Sequence, residues 1–315
     1  MNMLNSRPHK QRHLYGLTDK FSFFKELSDK NTLPNKILFS GPRGIGKSTL
    51  AYHLSNYILS KDEDLNYNLN DFSINESNRS YKLLLNSTHP NFFLVDILEN
   101  KKQIDINQIR EMITYTNKSN FNDLPKIILI DNVDLLSKNS LNALLKNIEE
   151  PNNNTYFFLI FDNNKNILDT LKSRCIKFNL SLPSSEYINI ASKIIGSNID
   201  KFLNEDFINH YSTPGDLINL LIFANINNVN LKDNQLSNFL EIIIDNNFYK
   251  KDNFISENIF KYIEYYFLTI FKKKPYKTSL YSTYTDFLYK ISNIKKYNLD
   301  SESFFLEFKN KILNG

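Results

Sequence analysis

Residues 36–49 read KILFSGPRGIGKST, and this stretch decides the fold. A short apolar run, KILFS (36–40), leads into a glycine-rich turn and then into the helical pattern TLAYHLSNYIL (49–59). Residues 41–48 fit G-x-x-x-x-G-K-[ST] in its expected context of strand, loop and helix. The N–H groups of such a loop converge on phosphate oxygens at the amino end of the helix. The sequence therefore predicts a phosphate-binding loop. The alternatives are a chance glycine turn and a decayed loop that no longer binds nucleotide.

The loop also predicts a cofactor, ATP or ADP with Mg²⁺. The lysine of the motif is expected to reach the β- and γ-phosphates, and the serine hydroxyl is expected to bind the magnesium ion. The predicted nucleotide-binding residues are Gly41, Gly44, Ile45, Gly46, Lys47, Ser48 and Thr49.

Short apolar runs alternate with helical patterns through residue 180. Nearly continuous apolar runs are typical of parallel strands that are covered on both faces. Alternating strands and helices favour a doubly wound α/β domain. The five predicted strands are KILFS (36–40), FFLVDIL (92–98), KIILID (126–131), TYFFLIF (155–161) and CIKFNL (175–180).

The strand at 126–131 ends in Asp131, whose carboxylate is expected to hold magnesium beside the loop. The predicted metal ligands are therefore Ser48 and Asp131. In most ATPases of this architecture the next residue is a glutamate that activates the attacking water, but here it is Asn132. An amide orients water without accepting its proton. Asp134 is not expected to replace the base, because the strand should end before it. We expect nucleotide binding with poor or absent hydrolysis.

After Leu182 the sequence shows helical periodicity and no convincing strand. We therefore place an α/β domain at 1–182 and helical blocks at 183–228 and 229–315. Residues 258–271, NIFKYIEYYFLTIF, are apolar nearly all round. This pattern predicts a helix that is buried within its own domain or packed against another subunit.

Composition excludes several classes of protein. The net charge of +4 is too small to indicate a nucleic-acid partner by itself. The single cysteine, Cys175, permits neither an intrachain disulfide nor a cysteine-based zinc site. The sequence has no run of about 18 apolar residues that would span a membrane, and residues 1–16 lack the apolar core of a signal peptide. We expect a cytoplasmic protein with an ordered basic arm near its amino terminus, or alternatively a transit peptide there. The polar stretch 62–80 is expected to be a mobile surface insertion.

Further motifs follow the loop. In IDINQIREM (104–112), Asp105 and Gln108 predict a helix capping box. SKNSLNALLKNIEEP (137–151) has an apolar helical stripe that a proline ends, and LDTLKSRCIKF (168–178) follows the fourth strand. These motifs resemble the clamp-loader ATPases of the AAA+ class from the bacterial DNA polymerase III holoenzyme. The other segments that carry the resemblance are GPRGIGKST, HPNF (89–92), IILIDNVDLL (127–136) and the arm RPHKQRHLYG (7–16). Apart from the arm, the resemblance spans about residues 35–180.

The resemblance implies an AAA+ P-loop core at 1–182, a helical lid at 183–228 and an all-α collar and oligomerisation domain at 229–315. It also implies a subunit of a hetero-pentameric ring that opens the sliding clamp and places it on primed DNA. The implied partners are gamma or tau motor subunits and a delta subunit, with the clamp and the DNA reached through the complex.

In that family the arginine of a Ser-Arg-Cys triplet projects into the ATP site of a neighbouring subunit. Here this residue is Arg174, the predicted catalytic residue, and a guanidinium suits the charge that develops on a γ-phosphate. The alternative is an arginine that bonds local carbonyl groups before the strand at 175–180. Cys175 is expected to be a small buried residue.

Two further departures from the motor subunits accompany Asn132. Motor subunits usually carry an arginine that senses the γ-phosphate in the segment that corresponds to STPGDLINLL (212–221), and Asp216 lies in that neighbourhood here. No arginine follows Arg174 in the sequence. Residues 61–91 contain no cysteine, so the zinc module of many relatives cannot form, and His89 is expected to be structural. We therefore expect a subunit other than a motor, with little or no ATP hydrolysis of its own.

The main alternative is an active ATPase of the gamma or tau type, which the phosphate-binding loop supports and Asn132 opposes. A P-loop kinase would need arginines after the core, and residues 175–315 have none. A standalone DNA-binding protein would need a stronger basic stripe.

Overall fold

The computed structural model describes residues 7–98, 101–119, 121–150, 154–166, 169–208, 212–273 and 278–314. The chain divides into two compact units. The first comprises Met1–Gly196 and His210–Ile218, and the second comprises Ser197–Asn209 and Asn219–Gly315. The domain boundaries at residues 182 and 228 stay predictions.

A parallel sheet of five strands forms the centre of the first unit, as the sequence predicts. Its strands are β1 (Lys36–Gly41), β2 (Phe92–Val95), β3 (Lys126–Ile130), β4 (Thr155–Asp162) and β5 (Ile176–Asn179). Their spatial order is β2-β3-β4-β1-β5, and every neighbouring pair is parallel. β2 ends before its predicted end at residue 98, because the Asp96 side chain accepts a hydrogen bond from the N–H of Ile97 at 2.7 Å.

Helices cover both faces of the sheet. Those that begin in the first unit are α1 (Thr18–Asp29), α2 (Lys47–Leu59), α3 (Arg79–Leu85), α4 (Ile106–Thr116), α5 (Lys138–Glu149), α6 (Asp169–Lys172), α7 (Tyr187–Ile195) and α8 (Pro214–Ile226). Alternate residues of β3 enter different hydrophobic clusters: Ile127 and Leu129 belong to one, and Ile128 and Ile130 to the other. Burial of both faces explains why this strand is an unbroken apolar run.

The capping box at α4 is confirmed. The Asp105 carboxylate accepts a hydrogen bond from the N–H of Gln108 at 3.3 Å, and the Gln108 side chain accepts one from the N–H of Asp105 at 3.2 Å. The same Gln108 side chain donates to the backbone carbonyl of Asp96 at 2.6 Å. The box therefore fixes the chain that follows β2 as well as the start of α4.

The prediction of a mobile insertion at residues 62–80 is wrong. Tyr67, Ile74 and Asn78 are buried, and the Glu63 carboxylate accepts hydrogen bonds from the first N–H groups of α3. The basic arm bonds to this segment, since the N–H of Ile74 donates to the carbonyl of Arg12 at 2.8 Å. Polar composition alone suggested mobility, but two apolar anchors and a set of side-chain hydrogen bonds hold the segment in place.

The described residues of the second unit form helices joined by turns and irregular segments, and none of them is in a strand. Its further helices are α9 (Leu236–Asp245), α10 (Phe248–Lys251), α11 (Asn253–Lys273), α12 (Thr278–Tyr297) and α13 (Glu302–Phe308). Ile259, Ile263 and Phe267 of α11 are buried. The Phe267 ring contacts those of Phe287 and Phe308, with centroids 5.7 and 5.8 Å away. Burial within its own unit therefore accounts for the apolar character of α11. Among the described residues, no helix has both the length and the apolar character that crossing a membrane requires.

Candidate functional site

The glycine-rich loop joins β1 to α2, and two of its glycines have a left-handed backbone, with φ of 83° at Gly44 and 93° at Gly46. Such angles favour glycine over residues with a Cβ atom. Lys47 opens α2, so the loop lies at the amino end of a helix, where N–H groups and the helix dipole favour an anion. Ile45 is buried and Thr49 is half-buried in the first turn of α2. The predicted strand, loop and helix context is therefore present.

The Lys47 side chain is folded into the loop. Its Nζ donates hydrogen bonds of 2.7 Å to the carbonyls of Gly41 and Pro42. Burial lowers the pKa of Lys47 to about 8, although the nearby charges of Asp162 and Asp131 oppose this shift. The cation therefore lies within the loop whose N–H groups are expected to contact a phosphate.

The two predicted magnesium ligands lie together. The Ser48 hydroxyl donates to Asp131 Oδ2 at 2.6 Å, because the carboxyl ends of β1 and β3 meet at one edge of the sheet. Burial raises the pKa of Asp131 to about 6, and the charge of Asp96 adds to this rise. A hydroxyl and a carboxylate are hard oxygen donors that suit Mg²⁺, which usually takes few protein ligands beside phosphates and water. The two residues therefore fit the ion.

The Asn132 side chain serves as a hydrogen-bond donor and does not supply a proton acceptor. Its backbone is left-handed, with φ of 56°, and its amide Nδ2 donates to Asp96 Oδ1 at 2.9 Å. Asp134 follows in a short 3-10 turn, where its side chain is 2% exposed and pairs with Lys165 at 2.9 Å. As expected, the strand ends before Asp134. A free carboxylate therefore stands at neither position 132 nor position 134.

Asp96 is the residue of this edge that the sequence analysis missed. It follows β2, the neighbour of β3, and its carboxylate contacts the Asn132 amide. Its position after a buried strand was the available signal. The contact between Asp96 and Asn132 depends on the left-handed backbone at Asn132, which could not be predicted from the sequence.

The start of α8 lies against the loop within the first unit. The N–H of Gly215 donates to the carbonyl of Gly44 at 2.9 Å. Thr213 and Asp216 form a reciprocal cap, since each side chain accepts a 3.2 Å hydrogen bond from the other's N–H. Asp216 thus has a capping role in this structure.

Arg174 lies between α6 and β5. Its Nε donates to Glu149 Oε1 at 2.7 Å, its Nη2 pairs with the same oxygen at 2.5 Å, and its Nη1 donates to the carbonyl of Thr170 at 2.9 Å. The side chain is 34% exposed. The guanidinium therefore bonds a local carbonyl, as the alternative interpretation expects, and also reaches the surface.

The remaining candidate groups are structural. Cys175 is buried, and burial raises the pKa of its thiol to about 11. His89 is buried, contacts the Ser80 hydroxyl at 3.2 Å and accepts from the N–H of Asn91 at 3.1 Å. Within the residues that the structure describes, no group of three or more His, Cys, Asp and Glu side chains could hold a metal ion.

Residues 16–184, just over half of the chain, match the family described as "DNA polymerase III, delta subunit". The DNA polymerase III subunit delta' of Pseudomonas aeruginosa is 27% identical over 164 residues, which are 52% of this chain and 48% of that protein. The subunit gamma of Buchnera aphidicola subsp. Schizaphis graminum is 32% identical over 207 residues, which are 62% of this chain and 54% of that protein. The subunit delta' of Haemophilus influenzae is 36% identical over 110 residues, which are 34% of this chain and 32% of that protein. The chain thus spans about half the length, or less, of these curated relatives.

Proposed function

This chain belongs to the DNA polymerase III delta subunit family, within the AAA+ clamp-loader proteins, and from that premise we propose that it is a delta-prime-like subunit of a bacterial replicative clamp loader. In this role it helps to place the sliding clamp on primed DNA. It works with gamma or tau motor subunits and a delta subunit in a hetero-pentameric ring. It binds ATP or ADP with Mg²⁺ at the loop 41–48 and hydrolyses ATP slowly or not at all.

The observation that carries this proposal is the hydrogen bond between the Asn132 amide and the Asp96 carboxylate. The position that follows the predicted magnesium ligand Asp131 holds an amide that donates a hydrogen bond and cannot accept a proton from water. Loss of a general base costs about 10²–10⁴-fold in rate. Residues 212–218 also lack an arginine that could sense a γ-phosphate beside Gly44. A subunit with such a site fits the delta-prime role better than that of a motor.

Arg174 gives the subunit its function in the ring. The residue is part of the Ser-Arg-Cys triplet and is partly exposed. In our proposal its guanidinium enters the ATP site of the adjoining motor subunit and stabilises the charge of the transferred phosphoryl group. Such arginines contribute about 10³–10⁵-fold to hydrolysis in comparable enzymes.

The second candidate function is an active gamma- or tau-type ATPase. The gamma relative favours it, because its similarity covers a longer part of this chain than that of the Pseudomonas delta' relative. The absence of a carboxylate at position 132 argues against it.

Hydrolysis by the purified single chain distinguishes the two candidates. We expect no turnover above that of a Lys47→Ala variant when the chain is incubated with ATP and Mg²⁺. Steady turnover that Lys47→Ala abolishes would favour the motor subunit. Binding is measured separately by titrating a fluorescent ATP analogue, and we expect a saturable signal that Lys47→Ala weakens.

A further inference from the structure

The guanidinium of Arg174 is held along one side. Nε and Nη2 lie on the same edge of the planar group, and both contact Glu149 Oε1. Nη1, on the opposite side, donates to the carbonyl of Thr170 and makes a longer contact of 3.5 Å with the Ser173 hydroxyl. The end edge lies between Nη1 and Nη2, and each of these nitrogens carries two hydrogens. Among the described residues, the Glu149 contacts therefore occupy the side edge formed by Nε and Nη2, and they leave the second hydrogen of Nη2, at the end edge, to meet an anion.

The backbones on both sides of this contact are anchored in one hydrophobic cluster. Glu149 is the last residue of α5 and follows Ile148, while Arg174 lies between Leu171 and Cys175 in the chain. Ile148, Leu171 and Cys175 are all buried in that cluster. The N–H of Arg174 also donates to the carbonyl of Leu171 at 3.2 Å. Glu149 therefore approaches the guanidinium from a fixed position.

We propose that Glu149 is a positioning residue that orients Arg174 for the phosphate of a neighbouring subunit. The inference rests on the proposed function of Arg174. A long arginine side chain loses rotamer entropy when it is fixed, and a carboxylate that fixes it beforehand removes part of this cost from the reaction step. Because its two contacts lie on the side edge, Glu149 does not compete with a phosphate for the end edge.

Two substitutions separate positioning from other roles. Glu149→Ala removes the acceptor, whereas Glu149→Gln keeps an acceptor oxygen without the charge, and a neutral acceptor is roughly half as strong. Glu150 is the matched control, since it is the adjacent exposed acid and makes no ion pair within the part of the chain that the structure describes. Arg174→Ala is the reference for loss of the guanidinium.

The assay is the ATPase rate of the assembled loader on primed DNA, with the adjoining motor site as the only one left competent. We expect Glu149→Ala to lower kcat by about 10- to 10²-fold, the cost of a catalytic group misplaced by about 1 Å. KM for ATP should change little, because the contact matters in the transition state. Glu149→Gln should keep most of the rate, and Glu150→Ala all of it.

The possible results separate the two proposals. If Arg174→Ala lowers the rate and Glu149→Ala does not, Glu149 does not position the arginine. A rate that rises in Glu149→Ala would mean that Glu149 holds the arginine back, and would also overturn the inference. If Arg174→Ala itself has no effect, the proposed function of Arg174 fails.

The single chain gives a readout that needs no loader. The Nε–H group of Arg174 has its own ¹⁵N NMR signal, which Arg174→Ala identifies. We expect Glu149→Ala to increase the mobility of this signal on the ps–ns timescale, and Glu149→Gln and Glu150→Ala to leave it ordered. A signal equally ordered in Glu149→Ala would overturn the inference even if the loader assay gave no result.

Discussion

Replacing Asn132 with aspartate should destabilise the protein rather than restore a catalytic base. The substitution is nearly isosteric, but it places a carboxylate oxygen about where Nδ2 now donates to Asp96 Oδ1 at 2.9 Å. Two full charges at that separation repel by about 6 kcal/mol at an effective dielectric constant of about 20. The hydrogen bond from the amide is lost as well.

Protonation limits this cost. The introduced aspartate can take up a proton, and from an ordinary aspartate pKa of about 3.9 this costs about 4 kcal/mol at pH 7 and about 1.5 kcal/mol at pH 5. Because Asp96 is half-buried, water reduces the repulsion further. We expect Asn132→Asp to lose about 2–4 kcal/mol of unfolding free energy at pH 7 and about 1 kcal/mol at pH 5.

The double variant Asp96→Asn/Asn132→Asp is the matched control, because it exchanges donor and acceptor and keeps one hydrogen bond and one charge. Urea denaturation followed by circular dichroism at both pH values gives the four stabilities of the cycle, with Asp96→Asn as the remaining single variant. We expect the double variant to regain most of the stability that Asn132→Asp loses. An Asn132→Asp chain as stable as the wild type at pH 7, or a double variant no more stable than Asn132→Asp, would show that charge repulsion with Asp96 does not set the stability.

Three further predictions concern the same unit. Gly44→Ala should cost at least about 1 kcal/mol more unfolding free energy than Gly46→Ala by calorimetry. Both glycines have left-handed φ, but a Cβ at Gly44 would lie 2.2 Å from Thr213 Oγ1, whereas one at Gly46 meets no described residue within 4 Å. Equal losses in the two variants would contradict this packing argument. The folded state raises the pKa of Asp131 from 3.8 to about 6 and lowers that of Lys47 from 10.5 to about 8, so both charged forms are disfavoured. The contribution of Asp131 to stability should fall as pH rises from 3.8 to about 6, and the contribution of Lys47 should rise between pH values of about 8 and 10.5. The measurement is the melting temperature as a function of pH. If an Asp131→Asn chain keeps the full pH dependence of the melting temperature below pH 6, Asp131 is not its source. Asp105→Ala should cost about 1 kcal/mol of unfolding free energy, because it removes the cap of α4. Asp105→Asn should cost less, because asparagine also caps helices. Equal urea midpoints for the two variants would exclude the cap as a source of stability.

The central fold could be predicted because its signals are local. Most of the strands are nearly continuous apolar runs, the loop 41–48 has a fixed spacing, and the Asp105–Gln108 cap lies within four residues. The pair Ser48 and Asp131 was also predictable, since parallel strands bring their carboxyl ends to one edge of the sheet.

The contacts that refine the site could not be predicted in this way. Asp96 and Asn132 are 36 residues apart, and Glu149 and Arg174 are 25 apart, so each pair depends on tertiary packing. The insertion at 62–80 was misjudged for a related reason, because the basic arm at its side and the buried Tyr67 supply contacts that its own composition does not reveal. Polar residues disfavour order only when the rest of the chain offers them no partners.

The central claim is that this chain acts on a neighbour's nucleotide and not on its own. The most direct test compares Lys47→Ala and Arg174→Ala in the same assembled loader, with subunit assembly checked by size-exclusion chromatography and DNA-stimulated ATP hydrolysis as the measurement. We expect near-normal hydrolysis with Lys47→Ala and a loss of about 10³-fold at the adjoining site with Arg174→Ala. Loss of hydrolysis with Lys47→Ala and normal hydrolysis with Arg174→Ala would contradict it.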